Sequence, residues 1–243
     1  MALFRIILLL FLSSCTAVLA DVTVEYCSDN LTIPTTQMSA NIDSLLAEVA
    51  SATSKNRFSI ATYGKGNDTV YGLGQCRGDV NSTDCSSCIQ DAAQSIRTNC
   101  QNQTDARLWA ENCVLRFAAI NFFGKLDTNE VERIFNIDHP QHPSAFKKVV
   151  AALMSKISSE AIVPANNGFA KGKITSIPAN VTLYGLAQCT MDISRNFCKE
   201  CLNLAIGNIP KLCKDVKTVG CRVLYSSCYV RYEIYPFYYP LDA

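Results

Sequence analysis

The sequence predicts an α+β fold built twice, and three observations predict it. First, "TVYGLGQCRGDVNSTDCSSCIQDAAQSIRTNC", ending at Cys100, recurs without a gap 113 residues later as "TLYGLAQCTMDISRNFCKECLNLAIGNIPKLC", ending at Cys213. Second, an amphipathic helical pattern precedes each copy. Third, short runs rich in β-branched and aromatic residues surround both copies. Helices mixed with antiparallel strands in a unit of roughly 100 residues indicate an α+β domain of ordinary size, and the period is too long for a solenoid.

The elements follow in order. Residues 1–20, "MALFRIILLLFLSSCTAVLA", place Arg5 before the apolar run from Ile6 to Leu12, with small residues leading to Ala20. This reads as a secretory signal peptide, and the run is far short of the ~20 apolar residues that span a bilayer. Unit one, residues 21–125, opens with "SANIDSLLAEVASAT", where Ile42, Leu45, Leu46 and Val49 form an i, i+3, i+4, i+7 stripe and Ser39 is the expected N-cap. A second helix is expected around "SSCIQDAAQSIRTNC", with strands in "RFSIATYG", "TVYGLGQC" and "RLWAENCVLRFAAI". The charged stretch around 126–134 is the expected linker. Unit two, residues 135–243, repeats the scheme with a helix from near Ser144, striped by Phe146, Val149, Val150 and Leu153, and with strands in "CRVLYSSCYVRYEIYPF". "ENCVLRFAAINFFGK" also matches "SSCYVRYEIYPFYYP", so that Cys113 maps onto Cys228.

Composition narrows the function. Without its leader the chain keeps 21 basic residues against 21 acidic ones, so neither nucleic-acid binding nor cationic membrane lysis has support from net charge. Twelve cysteines remain beyond Cys15, and an even count in an exported chain reads as disulfides. A zinc site needs four ligands. Each unit, however, has one C-x2-C, and His139 and His142 lie in a proline-flanked connector. A redox dithiol would need the C-x2-C to open a helix within a βαβ pattern. It does open a helix, but Cys76 competes for Cys85 or Cys88. No Ser/His/Asp set or carboxylate pair stands out, so neither catalysis nor a cofactor is expected. Five N-x-[ST] sequons, at Asn30, Asn67, Asn81, Asn102 and Asn180, are candidates for N-glycosylation.

The order C-x8-C-x2-C-x11-C-x12-C, preceded by "YGLGQC", resembles the ginkbilobin-type, or stress-antifungal, domain of plants. Two copies behind a leader resemble the cysteine-rich repeat secretory proteins. The same tandem occurs in ectodomains of receptor-like kinases and plasmodesmata-located proteins, and a chain that stops at Ala243 is expected to lack their anchors. The resemblance implies secretion to the apoplast and, in each unit, two helices on an antiparallel sheet of about five strands. It also implies bridges Cys27–Cys100, Cys76–Cys85, Cys88–Cys113, Cys189–Cys198 and Cys201–Cys228. Phe135 stands where the match to Cys27 would be, which leaves Cys213 without the family's partner. Cys221 has no counterpart in unit one, and Cys213–Cys221 is the expected replacement.

Members of that family bind mannose through one Asn, one Arg and one Glu, types that together supply donors and acceptors for adjacent hydroxyls. In unit two these positions are Asn136, Arg222 and Glu233. In unit one they are Ser28, Arg107 and Ala118, a site expected to be dead or altered. If "CRVLYS" and "CYVRYE" form a hairpin turning at Ser227–Cys228, Arg222 and Glu233 face each other across two strands. Such a pair is either a surface salt bridge worth roughly 0–1 kcal/mol or a sugar clamp. The aromatic tail Tyr232, Tyr235, Phe237, Tyr238 and Tyr239 either stacks on sugars or packs the last strand, and Trp109 reads as core or inter-domain packing. Two functions follow: a secreted defence protein that binds mannose-type glycans of fungal cell walls and restrains fungal growth, as the resemblance implies, or an apoplastic interaction module that binds receptor proteins.

Overall fold

A computed structural model of the chain describes residues 23–28, 32–129, 131–176 and 181–240. The leader and the sequons Asn30 and Asn180 lie outside the described residues. Unit one runs β1 (Val24–Cys27), α1 (Thr36–Asn56), β2 (Phe58–Tyr63), β3 (Val70–Cys76), α2 (Ser82–Asn99), β4 (Asp105–Trp109) and β5 (Cys113–Ala118). Unit two repeats this as β6 (Val131–Phe135), α3 (Pro143–Ala161), β7 (Phe169–Ser176), β8 (Val181–Cys189), α4 (Arg195–Leu212), β9 (Cys221–Tyr225) and β10 (Cys228–Glu233). Each unit is one five-stranded antiparallel sheet, in the order β1-β4-β5-β3-β2 and β6-β9-β10-β8-β7. Two helices cover one face of each sheet.

The helix pattern is the one the stripes predict. Ile42, Leu45 and Val49 of α1 and Leu153, Met154 and Ile157 of α3 are buried. The helices come close because the sheet carries glycine beneath them. A Cβ at Gly74 would lie 2.5 Å from the Thr53 hydroxyl, and one at Gly185 would lie 2.9 Å from Leu153. The glycines of the repeated "YGLGQC" and "YGLAQC" therefore belong to helix–sheet packing.

Two expectations on boundaries need correction, and a third holds. The N-cap of α1 is Thr35, whose hydroxyl accepts the Met38 N–H at 2.9 Å. Ser39 already lies inside the helix, its N–H bonded to the Thr35 carbonyl. Helix α3 starts at Pro143, beside Ser144 as expected, where a proline loses no hydrogen bond. The segment 126–134 is not all linker, because Val131–Phe135 is the edge strand β6, paired with β9 from Val131↔Tyr225 to Phe135↔Cys221.

Six disulfides join Cys27–Cys100, Cys76–Cys85, Cys88–Cys113, Cys189–Cys198, Cys201–Cys228 and Cys213–Cys221. Cys85 and Cys88 open α2 and bond in opposite directions along the chain. Phe135, in the place matching Cys27, lies under the Lys214 ammonium at 4.4 Å from its ring centroid.

Candidate functional site

Side chains alternate across each sheet, so every second residue points away from the helices. On that outer face of unit two the register places Ile134, Arg222, Arg231 and Leu186 in one row. Just beyond the ends of the β6–β9 and β9–β10 ladders the next row runs Asn136, bonded to Gly220, then Glu233, set over Gly220, and Tyr184. Arg222 therefore faces Arg231, not Glu233. The hairpin loop is Ser226–Ser227, one residue earlier than expected, and moving a hairpin's turn by one residue moves its pairing by two. The expected direct pair of Arg222 and Glu233 is replaced by neighbours in adjacent rows.

Two guanidiniums directly opposite on a strand pair repel, and the anion between them comes from unit one. Glu111, at the tip of the β4–β5 hairpin, accepts from Arg222 at 2.7 Å, from Arg231, and from Arg77 at 3.2 Å. Arg77 in turn holds Asp79 at 2.6 Å. Glu233 accepts from Arg231 Nε at 3.0 Å. Its row neighbour is Gly220 of necessity, since a Cβ there would sit 1.7 Å from Glu233 Oε2. The cluster is closed: Arg231 is 6% exposed and Glu233 5%. Asn136 completes the row through its backbone, donating to the Gly220 carbonyl at 2.8 Å, while its Oδ1 accepts the Asp138 N–H at 2.9 Å. The structure thus brings Asn136, Arg222 and Glu233 onto one face, and spends each of them on contacts within the chain.

Electrostatics separates the two carboxylates. Burial pushes the Glu111 carboxyl up, but Arg231, Arg222 and Arg77 outweigh it and hold the group below its usual range. At Glu233 burial wins over the pull of Arg231, and its pKa is raised.

Unit one repeats the plan with the pieces exchanged. Arg107 faces Arg116 in one row, and Asp105 faces Ala118 in the next. Ser28 donates its N–H to the Asp105 carbonyl. The carboxylate that unit two carries on its last strand, opposite a glycine, unit one carries on the neighbouring strand, opposite an alanine. Asp105 accepts from Arg107 at 3.0 Å, and Asp127, from the connection between the units, bridges to Arg116 at 2.8 Å. Ala118 therefore goes with a relocated carboxylate and leaves an acidic group in place. Arg107 also donates to the Ser226 hydroxyl at 2.6 Å, and Ser226 is the repeat counterpart of Glu111. Each hairpin tip reaches the arginine row of the other unit.

Gln75 and Gln188, counterparts in the repeat, extend this pseudo-twofold exchange. Gln75 donates to the Cys189 carbonyl at 3.0 Å, and Gln188 donates to that of Cys76 at 3.1 Å. Their side-chain oxygens accept from Met191 N and Gly78 N in the same crossed fashion. Trp109 Nε1 donates to the Tyr225 carbonyl across the interface. The C-terminal aromatics close one side: Phe237 lies under Arg231 at 3.9 Å, and Tyr239 N–H reaches Asp79. Sequence reasoning missed Glu111, Arg116, Arg231, Gln75 and Gln188. Their signal was present in part, since both repeats keep glutamine at 75/188 and arginine at 116/231.

His139 and His142 sit at the entry to α3, and His139 Nδ1 meets the Lys217 carbonyl. Among the described residues no group of His, Cys, Asp and Glu could hold a metal ion, and no helix is long and apolar enough to cross a membrane.

The salt stress response/antifungal family model matches residues 26–119 and again 135–235. The chain is 48% identical over 241 residues to cysteine-rich repeat secretory protein 55 of Arabidopsis thaliana, covering 97% of this chain and 90% of that one. It is 35% identical to an antimicrobial ginkbilobin-2-like protein of Castanea crenata, covering 95% and 94%. Among solved structures, the tandem DUF26 ectodomain of the A. thaliana cysteine-rich receptor-like protein PDLP8 superposes with a TM-score of 0.74 at 28% identity, covering 86% of this chain and 96% of that one.

Proposed function

The chain belongs to the salt stress response/antifungal family, in two copies, and from that premise we propose that it is an exported, non-catalytic recognition protein of the stress and defence type. It works in the apoplast as a rigid two-unit body and meets cell-surface proteins with faces other than the one its units share. One observation carries this reading: Arg222 and Glu233 are satisfied inside the chain, Arg222 by Glu111 of the other unit and Glu233 by Arg231. Isothermal titration with mannose and mannan oligosaccharides tests it. The expected result is no saturable heat. Saturable heat that disappears in Arg222→Ala and Glu233→Ala overturns it.

That second outcome is the other reading, binding of mannose-type glycans of fungal walls with an antifungal effect. It is favoured by Asn136, Arg222 and Glu233 sharing one sheet face in adjacent rows, and it requires Glu111 to withdraw. Under either reading the neutral charge of the exported chain argues for recognition over lysis, so liposomes should not leak. Asn67, Asn81 and Asn102 are exposed and are the described sequons proposed to carry glycan, to be checked by the mass lost on enzymatic deglycosylation.

A further inference from the structure

We propose that Arg77, Arg222 and Arg231 form a socket for small carboxylates, and that Glu111 is its built-in occupant, a plug that an external carboxylate competes with. The proposal does not depend on either reading above. It rests on what the two rows of facing arginines have in common. Arg222 and Arg231 are direct cross-strand partners, as are Arg107 and Arg116. Each pair would repel if left alone. In each, a bridging anion comes from outside the strand pair: Glu111 from the opposite hairpin tip, and Asp127 from the connection between units, the latter joined by Asp105 of β4 itself. The same chemistry has been met twice by unrelated segments, and in both cases the group in the middle is a carboxylate.

The unit-two socket is the more developed. Three guanidiniums converge on one carboxylate, and both of its oxygens are used, Oε2 by Arg222 and Oε1 by Arg231 and Arg77. Guanidiniums match carboxylates in geometry as well as charge. A chloride or other spherical anion cannot reproduce two separated acceptors. The walls are apolar, including Ile134, Leu186 and Phe237, so water screens the charges little. The free space beside Glu111 is about 20 Å³, no more than a water-sized gap. While the plug is home, nothing further fits. An external carboxylate can enter only as the Glu111 carboxylate leaves, and its ion pairs to Arg222 and Arg231 across the units are then lost. Occupancy by a ligand is therefore coupled to loosening of the contact between units.

The test is thermal unfolding of Glu111→Ala in sodium acetate against sodium chloride at equal ionic strength. Removing the plug leaves one buried positive charge in excess, since Asp79 still pairs Arg77 and Glu233 still pairs Arg231, and should lower Tm by roughly 5–15 °C. Acetate should then restore much of that loss in a saturable way, while chloride does not. Wild type should gain nothing from acetate, because its socket is full. In Glu111→Ala/Arg222→Ala the acetate response should vanish, which separates socket binding from a general salt effect. If Glu111→Ala folds poorly, the yield of disulfide-intact protein refolded in acetate and in chloride supplies the same comparison. Equal responses to acetate and chloride in Glu111→Ala, or equal responses of wild type and variant to acetate, overturn the proposal.

Discussion

Glu233 keeps its place because position 220 has no side chain. Gly220→Ala forces a methyl group into the carboxylate and should cost about 1–3 kcal/mol, the usual penalty of overpacking. Unit one shows the compensating arrangement, an aspartate at the glycine position and an alanine at the glutamate position. The double variant Gly220→Asp/Glu233→Ala should therefore be more stable than the sum of its single variants predicts, which denaturant titration of all three measures as a coupling. The two carboxylates should also answer acid in opposite senses. The Glu111 pKa is held low, so its contribution is complete above the unfolded value, near 4.3, and is lost as pH falls through the folded one. The Glu233 pKa is raised, so its contribution is present below the unfolded value and is lost as pH rises through the folded one. The Tm difference between wild type and Glu111→Gln should accordingly shrink below about pH 4.5, and that for Glu233→Gln should change in the opposite direction. None of this was legible in the sequence. Asn136, Arg222 and Glu233 could be picked out through the resemblance to the ginkbilobin-type domain, but the partner of Arg222 is Glu111 of the other unit, 111 residues away, and that of Glu233 is Arg231, which only the true register sets beside it.

Among the elements, the helices and the repeat were readable because period and spacing are local properties. Buried Ile42, Leu45 and Val49 declare their helix within one heptad. The edge strand β6 was not readable, because "VERIF" in a charged stretch looks like a connection until β9 lies beside it. Register failed for a similar reason: the Ser226–Ser227 loop is one residue from the turn expected, and nothing in "YSSCY" itself chooses between them. The two edge strands also differ in how they are held. In unit one, Cys27–Cys100 ties β1 to the end of α2 across 73 residues. Unit two spends its third bridge on Cys213–Cys221, a separation of 8, which leaves β6 held by its ladder. Loop-closure entropy gives the long bridge about 4.4 kcal/mol and the short one about 2.5. Amide exchange should therefore run faster in Val131–Phe135 than in Val24–Cys27, and comparable protection of the two strands by hydrogen-exchange mass spectrometry would contradict this.

For the whole molecule, the interface makes one body of two domains that each have a core. Its glutamines, arginine rows and hairpin tips should give a single calorimetric transition in wild type. Gln75→Ala/Gln188→Ala, which removes four inter-unit hydrogen bonds, should split it into two. The crossed glutamines also bear on how such a chain can change. In a symmetric pair of identical units, any substitution at the contact appears on both sides at once, and a hairpin tip must suit the surface of its own copy. Joining the units in one polypeptide removes that restriction. Glu111 opposite Ser226, and Asp105–Ala118 opposite Gly220–Glu233, are positions where the halves have parted. Gln75 and Gln188 are where they have not. One part of the contact can thus differ between the halves while the other holds the units in alignment.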